Sequence, residues 1–168
     1  MRDEVDRLVE AWQRERPDLD VSPLAVLSRV TRLAKHLDRA RKQAFAAHEL
    51  DAAEFDVLAA LRRAGPPYEL TPGQLMEQTL VSSGTMTHRV DKLQARGLVR
   101  RRPDPEDGRV VRVRLAARGR DRVDAAMADL LAGERALLGA LTERQRATLA
   151  ALLRTVVAPF DGRRPSAP

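Results

Sequence analysis

Cysteine is absent from the 168 residues, which removes thiolate catalysis, cysteine-based zinc sites and thiol redox switching and agrees with a reducing cytoplasm. Long apolar runs are absent too. No stretch approaches the roughly 18 consecutive apolar residues of a membrane-spanning helix. The opening MRDEVDRLVE alternates charge too quickly to hold the apolar region of a signal peptide. The chain is therefore expected in the cytoplasm, away from membranes. His36, His48 and His88 lack metal-ligand spacing. There is no nucleophile elbow, phosphate-binding glycine loop or carboxylate pair set against a catalytic base. These absences argue against an enzyme, against a zinc-dependent regulator and against any cofactor.

What is present is positive charge and helical periodicity. The formal net charge is +6, the isoelectric point is about 10.8, and arginine far outnumbers lysine. That balance favours partners bearing phosphate or carboxylate groups. Arginine-favouring codon usage produces the same total, so the position of the charges carries more than their number. The length suits one domain able to bury a core unaided.

Val5, Leu8, Val9 and Trp12 share one helical face, and Pro17 ends that segment. Ser22-Pro23 reads as a cap followed by proline at the first helical position, opening a long helix to about His48. Its Leu24, Leu27, Val30, Ala34, Leu37, Ala44 and Phe45 need several neighbours, a second subunit among the candidates. Asp51 and Glu54 make a capping-box start for a helix bearing Phe55, Val57, Leu58 and Leu61, which Gly65-Pro66-Pro67 ends. Tyr68-Glu69-Leu70 is compatible with a small strand. Thr71-Pro72-Gly73-Gln74 opens a short helix, and a turn near Val81-Ser82 leads into SGTMTHRVDKLQARG. After Gly97 the period changes. Leu98 to Arg102 and the alternating Val111 to Leu115 flank a turn containing Asp107-Gly108, which is the pattern of a hairpin. Helical periodicity then returns, and Thr142 and Gln145 cap a last helix. From Pro159 the tail is proline-rich and expected to be disordered.

Two short helices, a turn and a basic hairpin outline a winged helix-turn-helix. With Met86, Val90 and Leu93 facing inward, Gly84, Thr85, His88, Asp91 and Lys92 face outward. That outer face is small and polar near its N-terminus, where Ser82, Ser83, Thr85 and Thr87 offer hydroxyls to phosphates or base edges. The plain alternative is helix capping. Arg100, Arg101, Arg102, Arg109, Arg112 and Arg114 crowd one ribbon. This is either a solvated face or a wing that reaches arginine into a narrow minor groove.

The helix start EFDVLAALRRAG, the segment SSGTMTHRVDKLQARGLVRR and the wing PDPEDGR resemble the MarR family, as does the order of helices along the chain. One departure is Leu115-Ala116, where the family usually has Leu-Thr before its next helix. The resemblance implies a mainly α protein with a small β-wing and interlocking N- and C-terminal dimerisation helices. On that reading residues 1–48 support dimerisation and the ligand pocket, 49–116 form the winged helix-turn-helix, 117–158 form C-terminal dimerisation helices, and 159–168 are tail. A homodimer would place two recognition helices in successive major grooves of a palindromic operator in double-stranded DNA. Ser82, Ser83, Thr85, Thr87, His88 and Lys92 would contact groove and phosphates, Arg109 would enter the minor groove, and Arg112 would add a phosphate contact.

The N-terminal helix with Trp12, the segment RPDLD and the run SGTMTHR resemble the urate-responsive branch of that family. This similarity implies that Trp12, Asp56, Arg89 and Arg101 bind a small anionic ligand that releases a repressor from DNA. A flat anion would stack on Trp12 and pair with Arg89 and Arg101, while Asp56 accepts from ring N–H groups. Other readings stay open: Trp12 as a packing residue, Asp56 and Arg89 as a structural ion pair, and a tricarboxylate such as citrate or aconitate in place of a purine. From a different class, a winged-helix module that binds protein remains an alternative.

Overall fold

The computed structural model describes residues 2–104, 107–108 and 110–161. Side-chain caps decide where several of its helices begin. Asp3 accepts from the amides of Val5 and Asp6 and opens α1 (Glu4–Glu15). In α2 (Ser22–Ala46) the expected serine cap is replaced. Ser22 is already helical, and Asp20 upstream accepts from its amide at 3.0 Å, with Pro23 in the first turn. Asp51 and Glu54 complete the capping box of α3 (Ala52–Arg63). After Gly65, held at a φ of +73°, come β1 (Glu69–Leu70) and α4 (Pro72–Thr79), the latter capped reciprocally by Thr71 and Gln74.

α5 (Ser83–Ala95) follows, then β2 (Val99–Pro103), β3 (Val111–Leu115), α6 (Ala117–Leu137) and α7 (Glu143–Asp161). The strands form a three-stranded antiparallel sheet in the order β1-β3-β2. Pairing Val99 with Leu115 and Arg101 with Val113 puts these residues on one face of the sheet. Arg100, Arg102, Arg112, Arg114 and Glu69 fall on the other.

Leu58 and Leu61 of α3, Leu75 of α4, Met86, Val90 and Leu93 of α5, Val113 of the sheet and Val123 of α6 form one buried core. Each such side chain contributes about 1.5–3 kcal/mol through removal from water. Phe45 stacks on Phe55 with ring centroids 4.1 Å apart and joins the end of α2 to that core. Gly119 lets the start of α6 press on the sheet, because a Cβ there would stand 2.1 Å from the Leu98 carbonyl oxygen.

The chain divides into two compact units after Leu130. Within the first, α2 buries only Phe45, and Leu27 and Val30 stay exposed. Val5 is buried in α1, and Arg29 of α2 pairs with Asp3 and Asp6. The second unit carries α7, opened by Thr142 and Gln145 and exposing Leu152, Val156 and Phe160. α7 runs to Asp161, past the tail boundary expected at Pro159. In the last turn the missing proline amide deprives only one carbonyl of its partner, so the helix continues. Residues 162–168 of the expected tail lie outside the described residues. No helix among the described residues is long and apolar enough to cross a membrane.

Candidate nucleic-acid interface and ligand site

α4 and α5 are joined by Leu80, a non-glycine residue in the left-handed conformation. The inward face of α5 is as the period requires. Met86, Val90 and Leu93 are buried, and Gly84, Thr85, His88, Asp91 and Lys92 are exposed. Ser82 occupies the cap position of α5 but makes no capping bond to the helix. Its hydroxyl instead lies 3.0 Å from that of Thr85. The hydroxyls of this turn are thus not taken up by capping, and Ser82, Ser83, Thr85, Thr87 and His88 all face solvent.

The C-terminal half of α5 is clamped. Lys92 reaches Asp51 at 2.9 Å and Glu54 at 3.3 Å, which raises its pKa. Arg96 donates to Glu54 at 2.6 Å and to the Glu49 carbonyl oxygen at 2.6 Å. Burial pushes the Glu54 carboxyl up, but the bonds from Arg96 and the Asp51 amide outweigh it and leave the pKa lowered. Lys92, expected to contact the groove, is therefore tied to the start of α3. Sequence reasoning read Glu54 only as a cap and missed Arg96, because pairs separated by about forty residues leave no local signal.

The arginine-rich wing is partly neutralised by two buried acids that sequence reasoning also missed. Glu69, with its side chain 3% exposed, sits 2.6 Å from Arg102 and 3.5 Å from Arg114. Asp104 is buried and pairs with Arg112, so the expected extra phosphate contact is engaged internally. Arg101 turns to α5 and meets Asp91 at 2.5 Å. Arg109 lies outside the described residues.

The four residues expected around a ligand do not converge within one chain. Trp12 is half exposed on α1. Asp56 is exposed at a cavity of about 180 Å³ shared with Arg41, Lys42 and Phe45. Arg89 is half-buried on α5. Arg101 borders a different cavity, at the base of the wing. Among the described residues, no ion pair joins Asp56 to Arg89 within the chain.

A helix-turn-helix with a buried inner face and a basic antiparallel wing defines a winged-helix fold of the DNA-binding type. The MarR family model matches residues 48–110, across this region. The transcriptional regulator PecS of Dickeya dadantii (strain 3937) is 37% identical over 150 residues, covering 89% of this chain and 90% of the relative. A MarR variant from Escherichia coli solved with operator DNA superposes with a TM-score of 0.66 at 28% identity, over 83% of this chain and 99% of that one. BpsR of Bordetella bronchiseptica, whose DNA binding is regulated by 6-hydroxynicotinic acid, gives 0.58 at 27% identity over 76% and 91%. The chain belongs to the MarR family of DNA-binding, ligand-responsive transcriptional regulators. Its relatives are regulators rather than enzymes.

Proposed function

We propose that the chain is a homodimeric repressor that binds a palindromic operator and is released by a small anionic ligand, urate or a related purine. The observation that carries the DNA half is the exposed start of α5, whose hydroxyl cluster is not engaged in capping. Ser82, Ser83, Thr85, Thr87 and His88 take groove and phosphate contacts, and Arg109 takes the minor groove. Lys92 and Arg112 join them where a phosphate outcompetes the carboxylates that hold them. Exposed apolar residues on α2 and on α7 supply the dimer contacts.

The ligand half rests on Trp12, Asp56, Arg89 and Arg101. It is supported by the similarity to PecS and by a relative regulated by a flat heteroaromatic anion. Because these side chains do not meet within one chain, the pocket is completed by the partner subunit.

The test is a titration of the chain's own upstream DNA, repeated with urate, xanthine, citrate and trans-aconitate. Urate or xanthine should release the duplex. Arg89→Ala should leave operator affinity in place and raise the ligand concentration needed by about tenfold, the size of one lost charge-assisted pair. Release by the tricarboxylates alone would replace the purine, and binding that no ligand disturbs would remove this pocket. Arg109→Ala should weaken operator binding without unfolding the protein, and unchanged affinity would remove the wing from the interface.

A further inference from the structure

At the base of the wing, a cavity of about 530 Å³ is lined by Tyr68, Arg100, Arg101, Arg102, Arg114 and Arg120, with Ala116 at the entry to α6. No acidic side chain is among its lining residues, although Glu69 lies beneath Arg102 and Arg114. Three further features make this charge unusual. Arg100 stands directly opposite Arg114 across the β2–β3 ladder, an arrangement that costs stability unless something lies between the charges. The first turn of α6 holds Arg118 and Arg120 and no acid, the wrong sign for the positive end of a helix. The first-turn amides of α6 also receive no side-chain cap among the described residues, Ala116 having no hydroxyl to offer.

Compensation is incomplete within the described residues. Arg102 and Arg114 share the single carboxylate of Glu69. Arg102 Nε is buried without a hydrogen-bond partner. Arg100 has no ion pair, and the carboxylate nearest to Arg120 is that of its neighbour Asp121, at 4.0 Å. Guanidinium groups and free helix amides converging on one concavity form a receptor for oxyanions. The volume is that of a small-molecule site rather than a single ion, and Tyr68 and Leu115 add an apolar wall.

We propose that this cavity is a second anion site, which takes a small molecule bearing two or more phosphate or carboxylate groups. It shares only Arg101 with the ligand reading under the proposed function, and rests on Arg100, Arg102, Arg114 and Arg120 rather than on Trp12, Asp56 or Arg89. Its Arg100, Arg102 and Arg114 lie on the sheet face opposite Arg101, the residue that joins the wing to α5. The bound anion separates Arg100 from Arg114 and caps α6 in place of the missing hydroxyl.

The experiment is calorimetric titration of the full chain with inorganic pyrophosphate, at an ionic strength that suppresses surface binding. Saturable binding of one pyrophosphate per chain is expected. The double variant Arg100→Ala/Arg120→Ala should weaken it at least tenfold while Arg89→Ala leaves it unchanged. Neither Arg100 nor Arg120 holds a buried partner, and a thermal melt of the double variant verifies that it is folded. Ala116→Thr, which supplies the capping hydroxyl, should weaken pyrophosphate severalfold and raise the melting temperature of the free protein. Absence of saturable binding, or undiminished binding by the double variant, overturns the proposal. So does a double variant that loses operator affinity with a shallower salt dependence and shows no change toward pyrophosphate, since its arginines would then be duplex contacts.

Discussion

Glu54 accepts from the Arg96 guanidinium while its other carboxylate oxygen caps the Asp51 amide, and Lys92 stands 3.3 Å from the first. With its side chain 3% exposed, it holds a buried charge between two cations, one of α5 and one of its C-terminal cap. Glu54→Gln keeps the shape and removes the charge, and should destabilise the protein by about 1–3 kcal/mol at neutral pH. Because the pKa of Glu54 is lowered in the folded chain, its contribution is complete above the unfolded value of about 4.3. It is lost as pH falls through the folded value. The gap between wild type and variant should therefore close on acidification below about pH 4. Urea unfolding across that range checks it, and a gap independent of pH would place the effect in packing alone. The cap itself was legible, since a Glu three residues after Asp51 is a local pattern. Its cationic partners were not, because only the tertiary fold brings α5 to the start of α3.

The wing and the helix after it show what alternation reveals and what it hides. The period-two run from Val111 predicts a strand with arginines on one face, and the register agrees. The same run gives no sign that Glu69, on a strand of two residues, would slide beneath those arginines. Nor did the sequence explain Gly119, which reads as an ordinary residue in a helical run. Its Cα sits against the Leu98 backbone, so Gly119→Ala must push α6 off β2. The expected loss is about 1–3 kcal/mol, measured as a fall in melting temperature, and a variant as stable as wild type would mean that the two elements move apart freely. The long second helix and the proline-interrupted last one were legible as helices. Their ends were not, because a proline in a final turn costs little and a cap can come from an upstream aspartate.

For the whole molecule, the exposed apolar side chains bear on assembly. Leu152 and Val156 lie one turn apart on α7 and are 61% and 55% exposed, far more apolar surface than a solitary helix carries comfortably in water. Leu152→Glu combined with Val156→Glu should convert a dimer to monomers in sedimentation and abolish cooperative operator binding. Persistence of the dimer would move the interface elsewhere. The folded core was readable from helical and strand periods together, as Met86, Val90 and Leu93 show. A ligand site divided between subunits, as proposed above, would not be, since no spacing within one chain encodes it.

The clamp on α5 has a mechanical corollary. Asp91 fastens it to the wing, and Lys92 and Arg96 fasten it to α3, so the reading head is braced on two sides. On the proposed reading, a ligand's pull on Arg89 would be transmitted to the head as by a rigid lever arm. The ligand proposed above would then alter the gauge between the two heads of the proposed dimer, much as a pair of callipers is opened without bending its tips. Operators lengthened or shortened by one base pair between their halves should separate free from ligand-bound protein more sharply than any change of base within a half.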